Sequence, residues 1–232
     1  MTDRVIVALD FGEYEDARQA VDRLPEASCF KVGLQAFIGF GERILGYLQH
    51  KGKTVFLDLK FFDIPNTVTG AIRSCFRYNP RFLTIHLSGG REMVRTALET
   101  AAEQPGLTVL GVTLLTSLGE DDLAAMGVTL SSSETVLRMC EFGIHAGMKG
   151  FVCSPQEIEP IRKRFGRDIV LVTPGIRPQW AEKNDQKRVC SPSMAVAAGS
   201  DYLVIGRPIT HHPSPDEAFR LILQEMETVK TV

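Results

Sequence analysis

Charged side chains at the ends of apolar runs are the first sign of chemistry in this chain. Thr54-Val55-Phe56-Leu57 reads as a buried strand, and Asp58-Leu59-Lys60 continues it. Side chains alternate along a strand, so Asp58 and Lys60 share one face. Opposite charges at the inner end of an apolar strand are costly there unless paired. Asp63 follows three residues on, and Ile64-Pro65 then turns the chain. Proline suits the first helical turn and biases its predecessor towards extended geometry. Asp10 closes Val7-Ala8-Leu9-Asp10, and Lys31 lies inside the apolar run Phe30-Lys31-Val32-Gly33. A lysine so placed needs a partner or a substrate. Taken singly, each residue has a plain structural explanation, an ion pair or a helix cap. Acids and lysines gathered at one site could instead act on a bound molecule.

Positioning them requires a scaffold, and the chain supplies a regular one. Short apolar runs over residues 5–9, 29–34, 54–60, 82–87, 107–115, 150–153, 169–173 and 202–206 read as eight strands. Helix-patterned segments are expected over 14–24, 41–50, 68–77, 91–103, 134–145, 193–198 and 216–229. Near-continuous apolar strands are those of a parallel sheet covered by helices. About 250 residues is typical of eight such units, so the chain is expected to form a single-domain (β/α)8 barrel over 1–232. An open doubly wound sheet would want a Gly-x-Gly-x-x-Gly turn after the first strand, where Asp10-Phe11-Gly12-Glu13 stands instead. The stretch 117–133 is expected to be a mobile loop.

In such a barrel the active site lies at the C-terminal ends of the strands. That brings Asp10, Lys31, Asp58 and Lys60 to one mouth, with Thr116 and Ser117 after the fifth strand. The loops after strands seven and eight commonly bind phosphate. Here they read Thr173-Pro174-Gly175-Ile176-Arg177 and Gly206-Arg207-Pro208. Glycine lets backbone approach an anion, and arginine adds a bidentate contact. Trp180, His211 and His212 receive no role, since the histidines lack a third ligand for a metal.

Composition narrows the setting. The 232 residues are 44% hydrophobic and 23% charged, which suits a large folded core. A net charge of −2 without a basic run leaves no footprint for nucleic acid. Five scattered cysteines, with no Cys-x-x-Cys, point to a reducing cytoplasm. Met1-Thr2-Asp3-Arg4 leads straight into a strand without room for a signal peptide. The apolar runs are too short to span a bilayer.

The string Asp58-Leu59-Lys60-Phe61-Phe62-Asp63-Ile64-Pro65-Asn66-Thr67 resembles the signature of the orotidine 5'-phosphate decarboxylase family in its bacterial form. Val7 to Asp10, Lys31-Val32-Gly33, Leu115-Thr116-Ser117, Val172 to Arg177, Asp185-Gln186-Lys187-Arg188 and Val204 to Thr210 support it in the same order. Phe62 departs from the pattern, where relatives often carry histidine, and Cys190-Ser191-Pro192-Ser193-Met194 is looser than the family's. The resemblance implies cofactor-free conversion of orotidine 5'-monophosphate to uridine 5'-monophosphate and carbon dioxide. It implies that Lys60 stabilises and protonates C6, that Asp58 lies near the departing carboxylate, and that Lys31 and Asp63 complete an alternating array. It further implies that Asp10 and Lys31 meet the ribose hydroxyls, that Thr67 helps close the ribose side, and that Thr116 or Ser117 reads the pyrimidine. Pro174, Arg177, Gln186, Gly206 and Arg207 would bind the remainder, chiefly the phosphate. The active form would be a homodimer with Asp63 and Thr67 entering the partner's site.

Two other readings remain at this level. A related metal-dependent sugar-phosphate decarboxylase or aldolase would share the phosphate loops and the acid-x-Lys strand end. It would need more ligands at the mouth, where Lys31 opposes a metal. A regulatory barrel that binds a nucleotide without chemistry would have no need of all four array residues.

Overall fold

The computed structural model describes residues 2–181 and 190–228. Eight parallel strands close on themselves in chain order, with the first pairing the last. They are β1 Val5–Ala8, β2 Cys29–Gly33, β3 Thr54–Phe61, β4 Phe82–His86, β5 Thr108–Val112, β6 Gly150–Val152, β7 Val170–Thr173 and β8 Tyr202–Ile205. The helices are α1 Tyr14–Asp22, α2 Leu34–His50, α3 Pro65–Cys75, α4 Gly90–Ala101, α5 Glu120–Ala125, α6 Ser132–His145, α7 Ile158–Phe165, α8 Pro192–Ala198, α9 Arg207–Thr210 and α10 Pro215–Glu227. This is the expected (β/α)8 barrel.

Alternation along the strands divides the core into two layers. Val5, Val7, Phe30, Val32, Val55 and Leu57 face outwards and pack under the helices. Ile6, Ala8, Cys29, Phe56, Phe82, Leu110, Val172 and Val204 face inwards and fill the barrel. Phe82 meets both Phe56 and Tyr202 edge-on, with centroids 5.9 and 5.1 Å apart. Cys29 and Phe56 have Lys31 and Asp58 two residues above them in the same inward rows. The sheet register aligns Ala8 with Lys31, Lys31 with Phe56 and Gly33 with Asp58. The charges therefore stand one layer above a packed apolar floor, at the C-terminal end of the strands.

Some elements differ from the expectation. α2 begins at Leu34 rather than near 41 and bends at Phe40, whose φ of −156° and ψ of 28° interrupt the helix. Glycines at 39, 41 and 46 had diluted its apolar pattern. The stretch 117–133, expected to be a loop, contains α5, whose first turn holds Glu120, Asp121 and Asp122. Acids there complement the positive end of the helix dipole. α7, unassigned from sequence, carries Pro160 in its first turn, where no intrahelical N–H is needed. Its Arg162 donates to the carbonyls of Gly166, Ile169 and Gly199 and pairs with Asp201, tying the lower ends of β7 and β8 to the helix.

Candidate active site

β3 does not run regularly to its end. Its pairing with β4 shifts between Leu57 and Phe61, and Lys60 has a φ of +49°. A non-glycine residue in the left-handed region is strained, by about 1–3 kcal/mol, and persists only where neighbours enforce it. Thr84, fully buried on β4, supplies that restraint. Its hydroxyl accepts from the Lys60 backbone N–H at 2.9 Å and donates to Asp58 Oδ1 at 3.1 Å. Thr84 is a site residue that sequence reading missed, because a threonine inside an apolar strand looks like ordinary β-propensity.

Four charges form one connected row. Lys31 Nζ lies 3.0 Å from Asp10 Oδ1 and 3.5 Å from Asp58 Oδ2, and Lys60 Nζ lies 2.8 Å from Asp58 Oδ1. Burial would push the Asp58 carboxyl up, but Lys31, Lys60 and the hydrogen bonds from Lys60 and Thr84 hold it below the usual carboxylate range. Asp58 is thus an anion gripped between two lysines. Each such pair carries about 5 kcal/mol of Coulomb attraction at an effective dielectric near 20, before desolvation is subtracted. Room for the Lys31 amine depends on Gly33, where a Cβ would stand 2.9 Å from Nζ and 3.4 Å from Asp10 Oδ1.

The row borders a cavity of about 460 Å³. Asp10, Lys31, Asp58 and Lys60 all line it. An apolar wall of Val112, Leu114, Leu115, Val152 and Cys153 stands with Thr116. Cys153 is buried, and burial pushes its thiol well up, so it contributes packing without a thiolate. Pro174, Gly175, Ile176, Arg177, Gly206, Arg207, Thr210 and His211 complete the lining. Gly175 has a φ of +78°, a conformation glycine adopts without penalty. The loop it opens is pinned by Cys190, whose carbonyl accepts from Arg177 N–H at 2.9 Å. Arg177 is buried and Arg207 partly so. His86 ends β4 beside this cluster, and desolvation followed by the Lys60 charge lowers its pKa, leaving a neutral imidazole at pH 7. Its ring meets Phe62 edge-on at 5.8 Å.

Not every expected residue enters the cavity. Asp63 and Thr67 are exposed and do not line it. Asp63 instead accepts from the N–H of Ile64 at 2.7 Å. Ser117 is exposed beside the cavity, whereas Thr116 lines it. Gln186 lies outside the described residues, as do Asp185, Lys187 and Arg188. Within one chain the row ends on Asp10, and Asp63, expected to enter the partner's site, stands outside it. Thr210 and His211 join the lining without having been expected. A four-residue spacing from Gly206 and Arg207 would have found them, had the one-turn helix α9 been foreseen.

Fold and site together define a (β/α)8-barrel enzyme with an acid–lysine row at the mouth of its barrel. The chain belongs to the orotidine 5'-phosphate decarboxylase / HUMPS family, whose sequence model matches residues 3–222. It is 45% identical over 233 residues to an orotidine 5'-phosphate decarboxylase of Gloeothece citriformis, covering 99% of this chain and 100% of that protein. A protein of the same name from Coxiella burnetii is 45% identical over 231 residues, covering 97% of each chain. The crystal structure of orotidine 5'-phosphate decarboxylase from Lactobacillus acidophilus superposes with a TM-score of 0.85 at 34% identity, covering 97% of this chain and 99% of that one.

Proposed function

We infer that this chain decarboxylates orotidine 5'-monophosphate to uridine 5'-monophosphate and carbon dioxide, the last step of UMP biosynthesis, without a cofactor. The observation that carries the reading is the Asp10–Lys31–Asp58–Lys60 row bordering a cavity that Arg177 and Arg207 also line. Family membership and relatives bearing the decarboxylase name support it over a metal-dependent sugar-phosphate reaction. Lys31 also places a cation where that alternative would want a metal ligand.

Loss of carbon dioxide from C6 leaves an electron pair with no delocalised sink. Fixed charges already in place lower the energy of such a species without reorganising during the reaction. Lys60 is assigned to C6, where its ammonium faces the developing carbanion and then donates the proton. Asp58 is assigned to the neighbourhood of the departing carboxylate, with its charge held by Lys31 and Lys60. The Val112, Leu114 and Val152 wall suits an uncharged product better than a carboxylate. Asp10 and Lys31 are assigned to the ribose hydroxyls, Thr116 to the pyrimidine amide, and Ser117 to its support. Pro174, Gly206, Arg177 and Arg207 are assigned to the phosphate end, together with Gln186.

The active unit is proposed to be a cytoplasmic homodimer. Asp63 and Thr67 are exposed beside Phe62 and Ile64, which are 62% and 67% exposed. That apolar surface suits contact with a second copy, which would receive Asp63 and Thr67 in its own site. The five free thiols suit a reducing compartment. Among the described residues no helix is long and apolar enough to cross a membrane.

The test is an assay of orotidine 5'-monophosphate consumption by absorbance, with and without chelator, on wild type and Lys60→Ala. Decarboxylation that survives chelation and is lost in the variant is expected. A variant retaining a large share of wild-type kcat would remove Lys60 from its role.

A further inference from the structure

The pair His211-His212 follows the phosphate loop, and the structure sends its two rings to different duties. α9 is a single turn, and its Pro208 and Ile209 are buried. Residues four apart lie on one side of a turn, so Arg207 and His211 share a face, as do Gly206 and Thr210. All four line the cavity. The His211 backbone is fixed there by its N–H, which donates to Arg207 O at 3.0 Å. Its ring is braced edge-on against Phe11 at 6.2 Å, next in sequence to the cavity's Asp10.

His212 turns away and locks the bend. Its Nδ1 accepts from the N–H of Ser214 at 3.1 Å, and its ring packs edge-on against Trp180 at 5.3 Å. Trp180 follows Arg177 by three residues, so this contact joins the two arginine loops. Among the described residues no hydrogen bond or ion pair involves the ring nitrogens of His211, in contrast to those of His212. A braced imidazole with uncommitted nitrogens on the same face as Arg207 is suited to an anionic ligand.

We propose that His211 is a ligand-binding side chain that donates a hydrogen bond to the substrate's 5'-phosphate beside Arg177 and Arg207, raising the preference for nucleotide over nucleoside. The proposal rests on the assignment of the arginine loops to the phosphate.

The experiment is calorimetric titration of wild type, His211→Ala and His211→Gln with UMP and with uridine, alongside steady-state kinetics on orotidine 5'-monophosphate. Hydrogen bonds to charged groups contribute enough that about a tenfold loss of UMP affinity is expected in His211→Ala. Uridine affinity should change by less than about twofold, because uridine lacks the phosphate that the imidazole is proposed to meet. KM should rise about tenfold with a smaller change in kcat, and His211→Gln, which keeps a donor, should recover part of the loss. UMP affinity within about twofold of wild type in His211→Ala would overturn the proposal while the wild-type preference for UMP left the phosphate assignment standing. Equal losses for UMP and uridine would also overturn it, reducing His211 to a brace for Phe11. Wild type binding UMP and uridine alike would overturn the phosphate assignment itself, and this proposal with it.

Discussion

Gly33→Ala separates the chemistry of the charge row from the stability of the barrel. The added Cβ would stand 2.9 Å from Lys31 Nζ and 3.4 Å from Asp10 Oδ1. Comfortable approaches to carbon begin at about 3.5 Å, so the amine must retreat by roughly 0.5–1 Å. A lysine tip moves easily, which protects the fold and transfers the cost to the site. Lys31 is 3.0 Å from Asp10 and 3.5 Å from Asp58. Lengthening either ion pair by about 0.8 Å at an effective dielectric near 20 removes about 1 kcal/mol of attraction. Weakening one or both pairs to that extent corresponds to roughly 5–30-fold in kcat/KM. The backbone at Gly33, with φ −94° and ψ −176°, is extended and open to alanine. Gly→Ala at a compatible position changes stability by only about 0.4–1 kcal/mol, or a Tm shift of about 1–4 °C. The assay is steady-state decarboxylation with a thermal melt of the same sample. Gly46→Ala, with open space around the new Cβ, serves as the control. A Gly33→Ala enzyme within about twofold of wild type in kcat/KM would show that the Lys31 position is not constrained in the way argued.

Thr84→Val removes the hydroxyl bridging Asp58 and the Lys60 N–H, so a stability loss of about 1–3 kcal/mol in chemical denaturation and at least a tenfold drop in kcat are expected. Mixing Lys60→Ala chains with Asp63→Ala chains should restore about a quarter of wild-type activity if Asp63 acts in the partner's site, since random pairing makes half the dimers mixed and leaves one of their two sites intact; mixed dimers confirmed by mass but inactive would return Asp63 to its own chain. Acid should destabilise the fold in two steps. The His86 pKa is lowered in the folded state, so its contribution is complete above its unfolded value near 6.5 and is lost as pH falls through the folded value. Asp58 is likewise depressed and contributes above about pH 3.9, losing that stability as pH falls through its lower folded value. Urea midpoints measured from pH 7.5 to 3 should show the first decline weakened in His86→Gln; an unchanged first decline would assign it to another group.

The sequence disclosed the barrel because its strands are apolar almost without interruption, and the few charges inside them had nowhere to go except the mouth. Asp10, Lys31, Asp58 and Lys60 were legible for that reason, and the structure brings all four into one row. Thr84 was not, since its role depends on a hydroxyl reaching across from a neighbouring strand, and no spacing within β4 announces that. The shape of β3 was hidden for a related reason. Period-two alternation places Asp58 and Lys60 on one face, but it assumes regular backbone, whereas Lys60 occupies the left-handed region. His211 was passed over because two adjacent histidines suggest a metal before they suggest two separate tasks. α9 divides them, and only the packed turn reveals the division.

The strain at Lys60 and the burial of Asp58 have one cause. The role proposed for Lys60, facing a developing carbanion, requires its amine at a fixed point, and a flexible side chain on a regular strand would spread over several rotamers. The left-handed backbone at residue 60 lets the pairing of β3 shift, so that Phe61 reaches Ile85 while Lys60 Nζ meets Asp58. Thr84 fixes that geometry from the next strand, and Lys31 keeps Asp58 ionised from the other side. Each element costs stability locally: a strained φ, a buried carboxylate, a lysine in an apolar row. The apolar floor of Phe56, Phe82 and Leu110 and the helix-covered outer layer of the barrel supply the stability that offsets those costs. The site can therefore hold its charges in place before substrate arrives, which is the condition for electrostatic stabilisation of a transition state.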